Sequence, residues 1–178
     1  MTASASGPDS PELAARVVAE LTSRRMTIAV AESLTGGLVV AELVSVPGAS
    51  AVVRGGVVAY ATELKSSLLG VDAELLATRS PIDREVARQM AEGVRWRLGR
   101  DGVPADIGLA TTGVAGPDPQ DGHPVGEVWI GLAIGDLVEA HGLTLGGDRA
   151  AIRGATVAAS LMFLLDHLHD GPHERRPE

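Results

Sequence analysis

Apolar and polar residues alternate along the chain with two different periods. Apolar residues recur at helical spacing across 13–21, and Pro11 suits the first position of the helix that this pattern predicts. The short apolar runs at 26–31 and 105–112 predict two buried strands. Residues 33–44 then predict the start of a helix that contains small residues.

Glycine and turn-forming residues divide the middle of the chain. The run at 51–60 has β-branched residues on both sides of Gly55 and Gly56, which predicts a strand with a bulge or a close hairpin. Thr62 is placed to cap a short helix, and Gly70 is placed to end it.

The clearest helical pattern lies in residues 80–99. Ser80 is the expected N-cap and Pro81 the expected first helical residue. The apolar residues that recur there every four positions are Ile82, Val86, Met90, Val94 and Leu98.

The last third of the chain reads as a hairpin and a helix. Residues 127–145 form two apolar runs joined by Gly135 and Asp136, the expected two-residue turn. A helix over about 148–169 is expected to bury Ile152, Val157, Leu161 and Leu164. Strands that alternate with helices, followed by a hairpin and a helix, predict an α/β fold: a three-layer α/β/α domain with a mixed β-sheet.

Length and charge narrow the class of protein. The expected organisation is a disordered leader (1–10), a single domain (11–169) and a flexible tail (170–178). A net charge of −8 disfavours nucleic-acid binding, which needs a basic face. No run of 18 apolar residues and no signal-like N-terminus is present, so a cytoplasmic protein without a membrane segment is expected. There is no cysteine, and the five histidines lack metal-ligand spacing, so no metal or cofactor is expected.

Three loops rich in glycine and hydroxyl groups follow predicted strands: AESLTGG, YATELK and TTGVAGP. Because ligands of open α/β sheets bind at the carboxyl ends of the strands, these loops predict one crevice. Ser33 lies where a strand gives way to a helix, and it is either a simple N-cap or a nucleophile. Gly36 and Gly37 would leave room for a ligand beside it.

Lys65 is the only lysine of the chain, and the other fourteen cationic side chains are arginine. Arginine stays protonated, whereas burial can neutralise a lysine and make it a base. If Thr62 caps the helix, the positive end of the helix also lowers the pKa of Lys65. The alternative is an ordinary solvated lysine. Tyr60, the only tyrosine, either joins a proton network or stacks on a ring, unless it is simply a strand aromatic.

Two further segments are suited to bind anions. The glycines of TTGVAGP let its backbone amides approach a ligand, as an oxyanion hole or a phosphate nest. Arg149 and Arg153 lie four apart on one predicted helix face, where they either bind a phosphate together or form a solvated pair.

Six motifs in order and spacing resemble the CinA C-terminal domain family, also known as nicotinamide-nucleotide amidohydrolases. They are AESLTGG, VPGAS, GGVVAYATELKSSLLGV, TTGVAGP, PVGEVWIG and GDRAAIR, and the resemblance runs over about 11–168. It implies a stand-alone form that hydrolyses the carboxamide of nicotinamide mononucleotide to nicotinate mononucleotide and ammonia. Leu34 stands where the family commonly has cysteine, and Thr62 where it commonly has asparagine.

The resemblance also implies the site residues. Ser33 would be the nucleophile, Lys65 the general base, and Tyr60 a third catalytic residue. The expected substrate-binding residues are Glu32, Thr35, Gly36, Gly37, Thr112, Gly113, Val114, Ala115, Gly116, Arg149 and Arg153.

Two other functions are compatible with the sequence. One is a non-catalytic module of the same type that binds a pyridine nucleotide or a protein, and the other is an amidase for a different small amide. Ser33 and Lys65 together favour an enzyme, since a binding module needs no unprotonated lysine. A domain rich in alanine, with an apolar hairpin, is compatible with a homo-oligomer, and a dimer is the expectation.

Overall fold

A computed structural model describes residues 9–170 of the chain. Most of the predicted leader and tail lies outside these residues. The helices are α1 (Ser10–Arg24), α2 (Leu38–Val44), α3 (Thr62–Leu69), α4 (Ala73–Arg79), α5 (Arg84–Arg97) and α6 (Arg149–Asp170), with one 3-10 turn at Ala49–Ala51. The strands are β1 (Ile28–Glu32), β2 (Val53–Val58), β3 (Ile107–Gly113), β4 (Glu127–Ile134) and β5 (Leu137–Thr144).

The five strands form one mixed sheet in the order β2-β1-β3-β4-β5. β1 is parallel to both β2 and β3, while β4 and β5 add antiparallel as the predicted hairpin. Ile28 pairs with Val53 and Ala29 with Gly55, so Arg54 is an extra residue in β2. The bulged strand is therefore correct for this segment, and the close hairpin is not. The carboxyl ends of the three parallel strands lie at one edge of the sheet.

Helices cover both faces of the sheet, which confirms the predicted three-layer arrangement. On one face α1, α2 and α6 pack around a core of leucine, isoleucine and valine. On the other face α5 and α3 pack against a core in which alanine is frequent. The backbone of α5 comes so close to the sheet that a Cβ at Gly131 would lie 2.0 Å from the carbonyl oxygen of Ala87. Small residues let this layer pack tightly in a chain with few aromatic side chains.

Four predicted helix starts were wrong, those of α1, α2, α3 and α5. α2 begins at Leu38 with Gly37 as its N-cap, so Ser33 does not cap it. α5 begins at Arg84, because the Asp83 carboxylate accepts the amide of Glu85 at 2.6 Å, so Ser80 and Pro81 precede it. α3 begins at Thr62, which is helical and does not cap.

The first helix begins one residue earlier than expected. The side chain of Asp9 caps α1 by accepting the amide of Glu12, which makes Ser10 the first helical residue and Pro11 the second. The short helix α4 was not predicted, because it buries none of its residues and so shows little apolar periodicity.

By length and apolar composition, α6 is long enough to cross a membrane. In the structure it is a core helix, because it packs on α1 and α2. The four apolar residues expected on its inner face, Ile152, Val157, Leu161 and Leu164, are all buried. The described residues therefore form a soluble-type α/β domain.

The close approach of α5 to the sheet can be tested with two glycine substitutions. Gly131→Ala should lower the free energy of unfolding by about 2 kcal/mol or more, because its Cβ would overlap a backbone carbonyl that cannot rotate away. The matched control is Gly154→Ala in α6, whose Cβ would have no neighbour within 4 Å. It should be neutral or raise stability by up to about 1 kcal/mol. Urea denaturation measures both, and equal effects of the two substitutions would contradict this packing.

Candidate active site

A crevice opens at the carboxyl ends of β1, β2 and β3, where the three predicted loops converge. Its lining residues come from those loops, from the segment before α5 and from the start of α6. They are Ser33, Leu34, Tyr60, Thr62, Lys65, Pro81, Ile82, Thr112, Gly113, Val114, Ala115, Gly116, Asp118, Gln120 and Arg149. The single crevice expected from the sequence is therefore present.

At the base of the crevice the Lys65 amine meets the Ser33 hydroxyl. Lys65 Nζ lies 3.1 Å from Ser33 Oγ and donates to the carbonyl oxygen of Ala59, also at 3.1 Å. Lys65 is only 1% exposed, and Ser33 is 8% exposed. The Ser33 amide donates to the Thr111 carbonyl at 3.0 Å, which ties the serine to the end of β3. The structure therefore brings Ser33 and Lys65 into contact, as the sequence led us to expect.

Burial lowers the pKa of the Lys65 amine from 10.5 to about 8, and the Glu63 carboxylate opposes part of this shift. The expected direction was right, and burial, one of the two expected causes, produces it. Since Ala61 rather than Thr62 is the N-cap, Lys65 is the fourth residue of α3, one position further from the helix end than expected. With a pKa near 8, about a tenth of the amine is neutral at pH 7, and the neutral form can accept a proton.

Glu32 does not line the crevice, contrary to its expected role in substrate binding. Its buried carboxylate accepts the amides of Gly37 at 2.9 Å, Val39 at 3.1 Å and Val40 at 2.9 Å. These are the amides at the start of α2, so Glu32 already occupies the anion-binding end of that helix. The ligand position expected beside Gly36 and Gly37 is therefore filled from within the protein.

The two threonines expected to bind substrate each support the backbone. The Thr35 side chain is fully buried, and its hydroxyl bonds the Thr111 hydroxyl at 2.7 Å. Thr112 lines the crevice, but its hydroxyl donates to the Pro81 carbonyl at 2.7 Å. That bond holds the segment before α5 as one wall of the crevice.

Residues 113–116 form another wall, as expected. The Val114 amide donates to the Glu127 carbonyl at 2.9 Å, which anchors the loop to β4. Within residues 9–170, the amides of Ala115 and Gly116 have no hydrogen-bond acceptor. They remain candidates for ligand binding.

The two arginines that were expected to bind one phosphate are separated. Arg149 lies in the crevice lining, where it donates to the Gly116 carbonyl at 2.8 Å and to the Tyr60 hydroxyl at 2.9 Å. Arg153 is outside the lining and donates to the carbonyls of Leu34 at 3.0 Å and Thr35 at 2.8 Å. A shared phosphate site is therefore wrong, because the two side chains hold different segments.

Tyr60 stands at the mouth of the crevice and is 60% exposed. Its hydroxyl bonds Arg149 and, in the part of the chain that is described, makes no hydrogen bond to Lys65 or Ser33. The expected proton network through Tyr60 is thus absent there, and its ring is available to stack on a ligand.

Six lining residues are not among the expected site residues: Asp118, Gln120, Pro81, Ile82, Leu34 and Thr62. Leu34 and Thr62 were noted only as departures from the family pattern. Asp118 and Gln120 follow directly after TTGVAGP, so a wider reading of that loop would have included them. Pro81 and Ile82 were assigned to a helix, so they were not expected to line the crevice.

Fold and site together define an α/β domain with a buried serine–lysine pair at the carboxyl edge of its parallel strands. The sequence matches the CinA C-terminal domain over residues 10–168. It is 52% identical over 145 residues to the CinA-like protein of Frankia casuarinae, covering 82% of this chain and 32% of that protein. The chain belongs to the CinA C-terminal domain family.

Solved structures agree with this assignment. The competence/damage inducible protein CihA from Agrobacterium tumefaciens matches with a TM-score of 0.84 at 35% identity, covering 94% of this chain and 99% of that one. A CinA superfamily protein from Klebsiella pneumoniae gives a TM-score of 0.86 at 31% identity, covering 92% and 100%. The chain spans 32% of the length of the Frankia relative and 38% of that of a Geobacillus kaustophilus relative.

The buried amine predicts an unusual dependence of stability on pH. Because the folded-state pKa of about 8 lies below the ordinary 10.5, burying the charged form opposes folding below pH 8, and this opposition fades as pH rises to 10.5. Lys65→Met should therefore raise the free energy of unfolding at pH 7 by about 1–3 kcal/mol, reduced by the lost bond to Ala59.

Urea denaturation between pH 7 and 10.5 measures this effect. The advantage of Lys65→Met over wild type should shrink as pH rises. Ser33→Ala is the matched control, since it retains the buried lysine and should keep the wild-type pH dependence. A Lys65→Met protein that is less stable than wild type at pH 7 would show that the amine is not buried as a charge.

Proposed function

We propose that this domain hydrolyses the carboxamide of nicotinamide mononucleotide to nicotinate mononucleotide and ammonia. The observation that carries the proposal is the contact between the buried Lys65 amine and the Ser33 hydroxyl, 3.1 Å apart at the base of an open crevice. A serine beside a lysine of lowered pKa is suited to acyl transfer, because the neutral amine activates the hydroxyl.

In the first half of the reaction, Ser33 Oγ forms a bond to the carboxamide carbon while neutral Lys65 Nζ takes the hydroxyl proton. The electron pair of the carbonyl moves onto its oxygen, and backbone amides of the crevice stabilise that charge. When the carbonyl reforms, the carbon–nitrogen bond breaks. The Lys65 ammonium gives its proton to the departing nitrogen, which leaves as ammonia.

In the second half, a water molecule replaces ammonia. Neutral Lys65 takes one proton from the water, whose oxygen bonds to the acyl carbon. Collapse of this intermediate breaks the ester bond, and Lys65 returns the proton to Ser33 Oγ. The net change is one amide and one water converted to one carboxylic acid and one ammonia.

The mouth of the crevice offers groups that suit a pyridine nucleotide. The exposed ring of Tyr60 can stack on a pyridinium, which favours the face of an aromatic ring. Arg149 holds its guanidinium beside the Tyr60 hydroxyl, where a phosphate can accept from it. Ring and phosphate contacts of this kind separate the proposed substrate from another small amide.

The serine–lysine pair also favours catalysis over binding alone. Burial of an ionisable amine opposes folding, and a module that only binds gains nothing from it. An amidase for a different small amide uses the same pair, and the choice between the two substrates rests on Tyr60 and Arg149.

Ammonia release from nicotinamide mononucleotide tests this function. Wild type should release ammonia, and Lys65→Arg should lose about 10²-fold or more of the rate, because arginine keeps the charge but cannot act as a base. Ser33→Ala should lose at least as much. The matched control is Ser67→Ala, which changes an exposed serine of α3 and should leave the rate unchanged. Near-wild-type turnover by Lys65→Arg would rule out Lys65 as the base.

The pH dependence of kcat/KM follows from the Lys65 amine. Since the neutral amine is the active form, kcat/KM should rise with pH and level off above a midpoint of about 8. Glu63→Gln removes the carboxylate that raises the pKa of Lys65, so the midpoint should move to lower pH. A midpoint that does not move, or that moves upward, would contradict the assignment of this limb to Lys65.

A further inference from the structure

Arg153 makes contacts that catalysis by Ser33 and Lys65 does not yet explain. Its half-buried guanidinium donates from Nε to the Leu34 carbonyl and from Nη2 to the Thr35 carbonyl. Among residues 9–170 it forms no salt bridge, so these carbonyls are its polar contacts. The same group would lie 3.3 Å from a Cβ at Gly36, so it covers the three residues that follow the nucleophile.

Those residues form a tight turn. The Gly36 amide donates to the Ser33 carbonyl at 3.1 Å, which places Leu34 and Thr35 in the two central positions. Neither central residue has a positive φ, so the turn is of the common helical type. In such a turn the two central amides point in a similar direction, as at the start of a helix.

The two central amides have no acceptor within residues 9–170. Thr35 is nevertheless fully buried, and Leu34, which lines the crevice, is 4% exposed. A buried amide without a partner is unfavourable by about 1–3 kcal/mol, and functional sites are where such groups are retained.

Arg153 fixes the direction of one of these amides. In a trans peptide unit the carbonyl and the amide point in opposite directions, so the bond to the Leu34 carbonyl also orients the Thr35 amide. The positive charge of the guanidinium beside that carbonyl also polarises the peptide unit and makes the Thr35 amide a stronger donor. A planar guanidinium can hold both carbonyls at once, whereas a lysine ammonium has no such fixed fork.

We propose that the amides of Leu34 and Thr35 receive the oxyanion of the tetrahedral intermediate, and that Arg153 is the positioning residue that holds them. The inference rests on the proposed function, since it assigns a part of the same reaction. It replaces the expected role of Arg153 as a phosphate ligand, and it leaves the phosphate to Arg149. It also places the oxyanion hole beside the nucleophile, whereas the sequence suggested the TTGVAGP loop as a candidate for that role.

Steady-state kinetics of ammonia release separate positioning from binding. Arg153→Met should lower kcat by about 10–10²-fold and change the KM for nicotinamide mononucleotide by less than about threefold, because the lost interaction acts in the transition state. Arg149→Met should instead raise KM. Arg16→Met, on the exposed face of α1, is the matched surface control and should change neither. An Arg153→Met protein with raised KM and unchanged kcat would make Arg153 a substrate ligand and overturn the proposal.

A second readout does not depend on the nucleotide. Phenylmethanesulfonyl fluoride has no phosphate or pyridine ring; Ser33 Oγ would bond to its sulfur, fluoride would leave, and Lys65 would take the proton. Intact mass measures the rate. Arg153→Met should react about tenfold more slowly than wild type, and Arg16→Met at the wild-type rate. Equal sulfonylation rates in Arg153→Met and wild type would overturn the proposed role of Arg153. A wild type that reacts with this reagent but does not hydrolyse nicotinamide mononucleotide would disprove only the proposed function. A wild-type protein inert in both assays would contradict both.

Rescue distinguishes positioning from general damage to the fold. Adding guanidinium ion to Arg153→Ala, at concentrations that leave the protein folded, should restore part of kcat, and ammonium ion should restore less. If Arg153→Met does not fold, Arg153→Lys keeps the charge with a single donor group and should still show the loss of kcat. Full activity of Arg153→Lys would contradict the need for the planar fork.

Discussion

The contact between the Lys65 amine and the Ser33 hydroxyl sets requirements that much of the surrounding structure meets. An ammonium buried to 1% exposure opposes folding, so the neighbouring packing must hold it in place. β1 and β2 lie side by side and parallel, which brings the residues that follow each strand to the same edge of the sheet. Ser33 follows β1, the Ala59 carbonyl that holds the amine follows β2, and α3 carries the lysine back over that edge.

Two buried or half-buried charges hold the turn that begins at Ser33. Glu32 precedes Ser33 and accepts the amides at the start of α2, while Arg153 comes from α6 and donates to the carbonyls of the turn. The Glu32 carboxylate therefore fixes the amides that follow the turn, and the Arg153 guanidinium fixes the carbonyls within it. Both side chains look like ligand-binding groups in the sequence, and both are satisfied by backbone. Of the two arginines expected to bind phosphate, Arg149 lines the crevice and Arg153 does not.

The sequence predicted the layers and the mixed sheet because these depend on local periodicity. It predicted the serine–lysine pair from one unusual residue together with the family resemblance. The buried strands β1 and β3 each carry a short apolar run, and a lone lysine among fourteen arginines is visible without a structure. The start of α5 was not predictable in this way, since Ser80 and Asp83 are both good caps. The Thr112 bond to the Pro81 carbonyl, made across 31 positions, accompanies the later start.

The backbone contacts of Glu32 and Arg153 could not be predicted from the sequence for a similar reason. A long charged side chain reaches several backbone groups, and only the tertiary fold determines which of them it meets. Arg153 contacts Leu34 and Thr35, which precede it in the chain by 119 and 118 positions. Residue spacing along α6 does not reveal these contacts.

The central claim is that the Lys65 amine is buried and shares its proton with Ser33, and NMR can test this directly. Because the chain has one lysine, selective ¹³C-lysine labelling gives a single Cε signal, whose shift follows the charge of this amine. A titration from pH 6 to 12 should give a midpoint of about 8. A midpoint near the ordinary 10.5 would mean that the amine is solvated, and the serine–lysine mechanism would then lack its base.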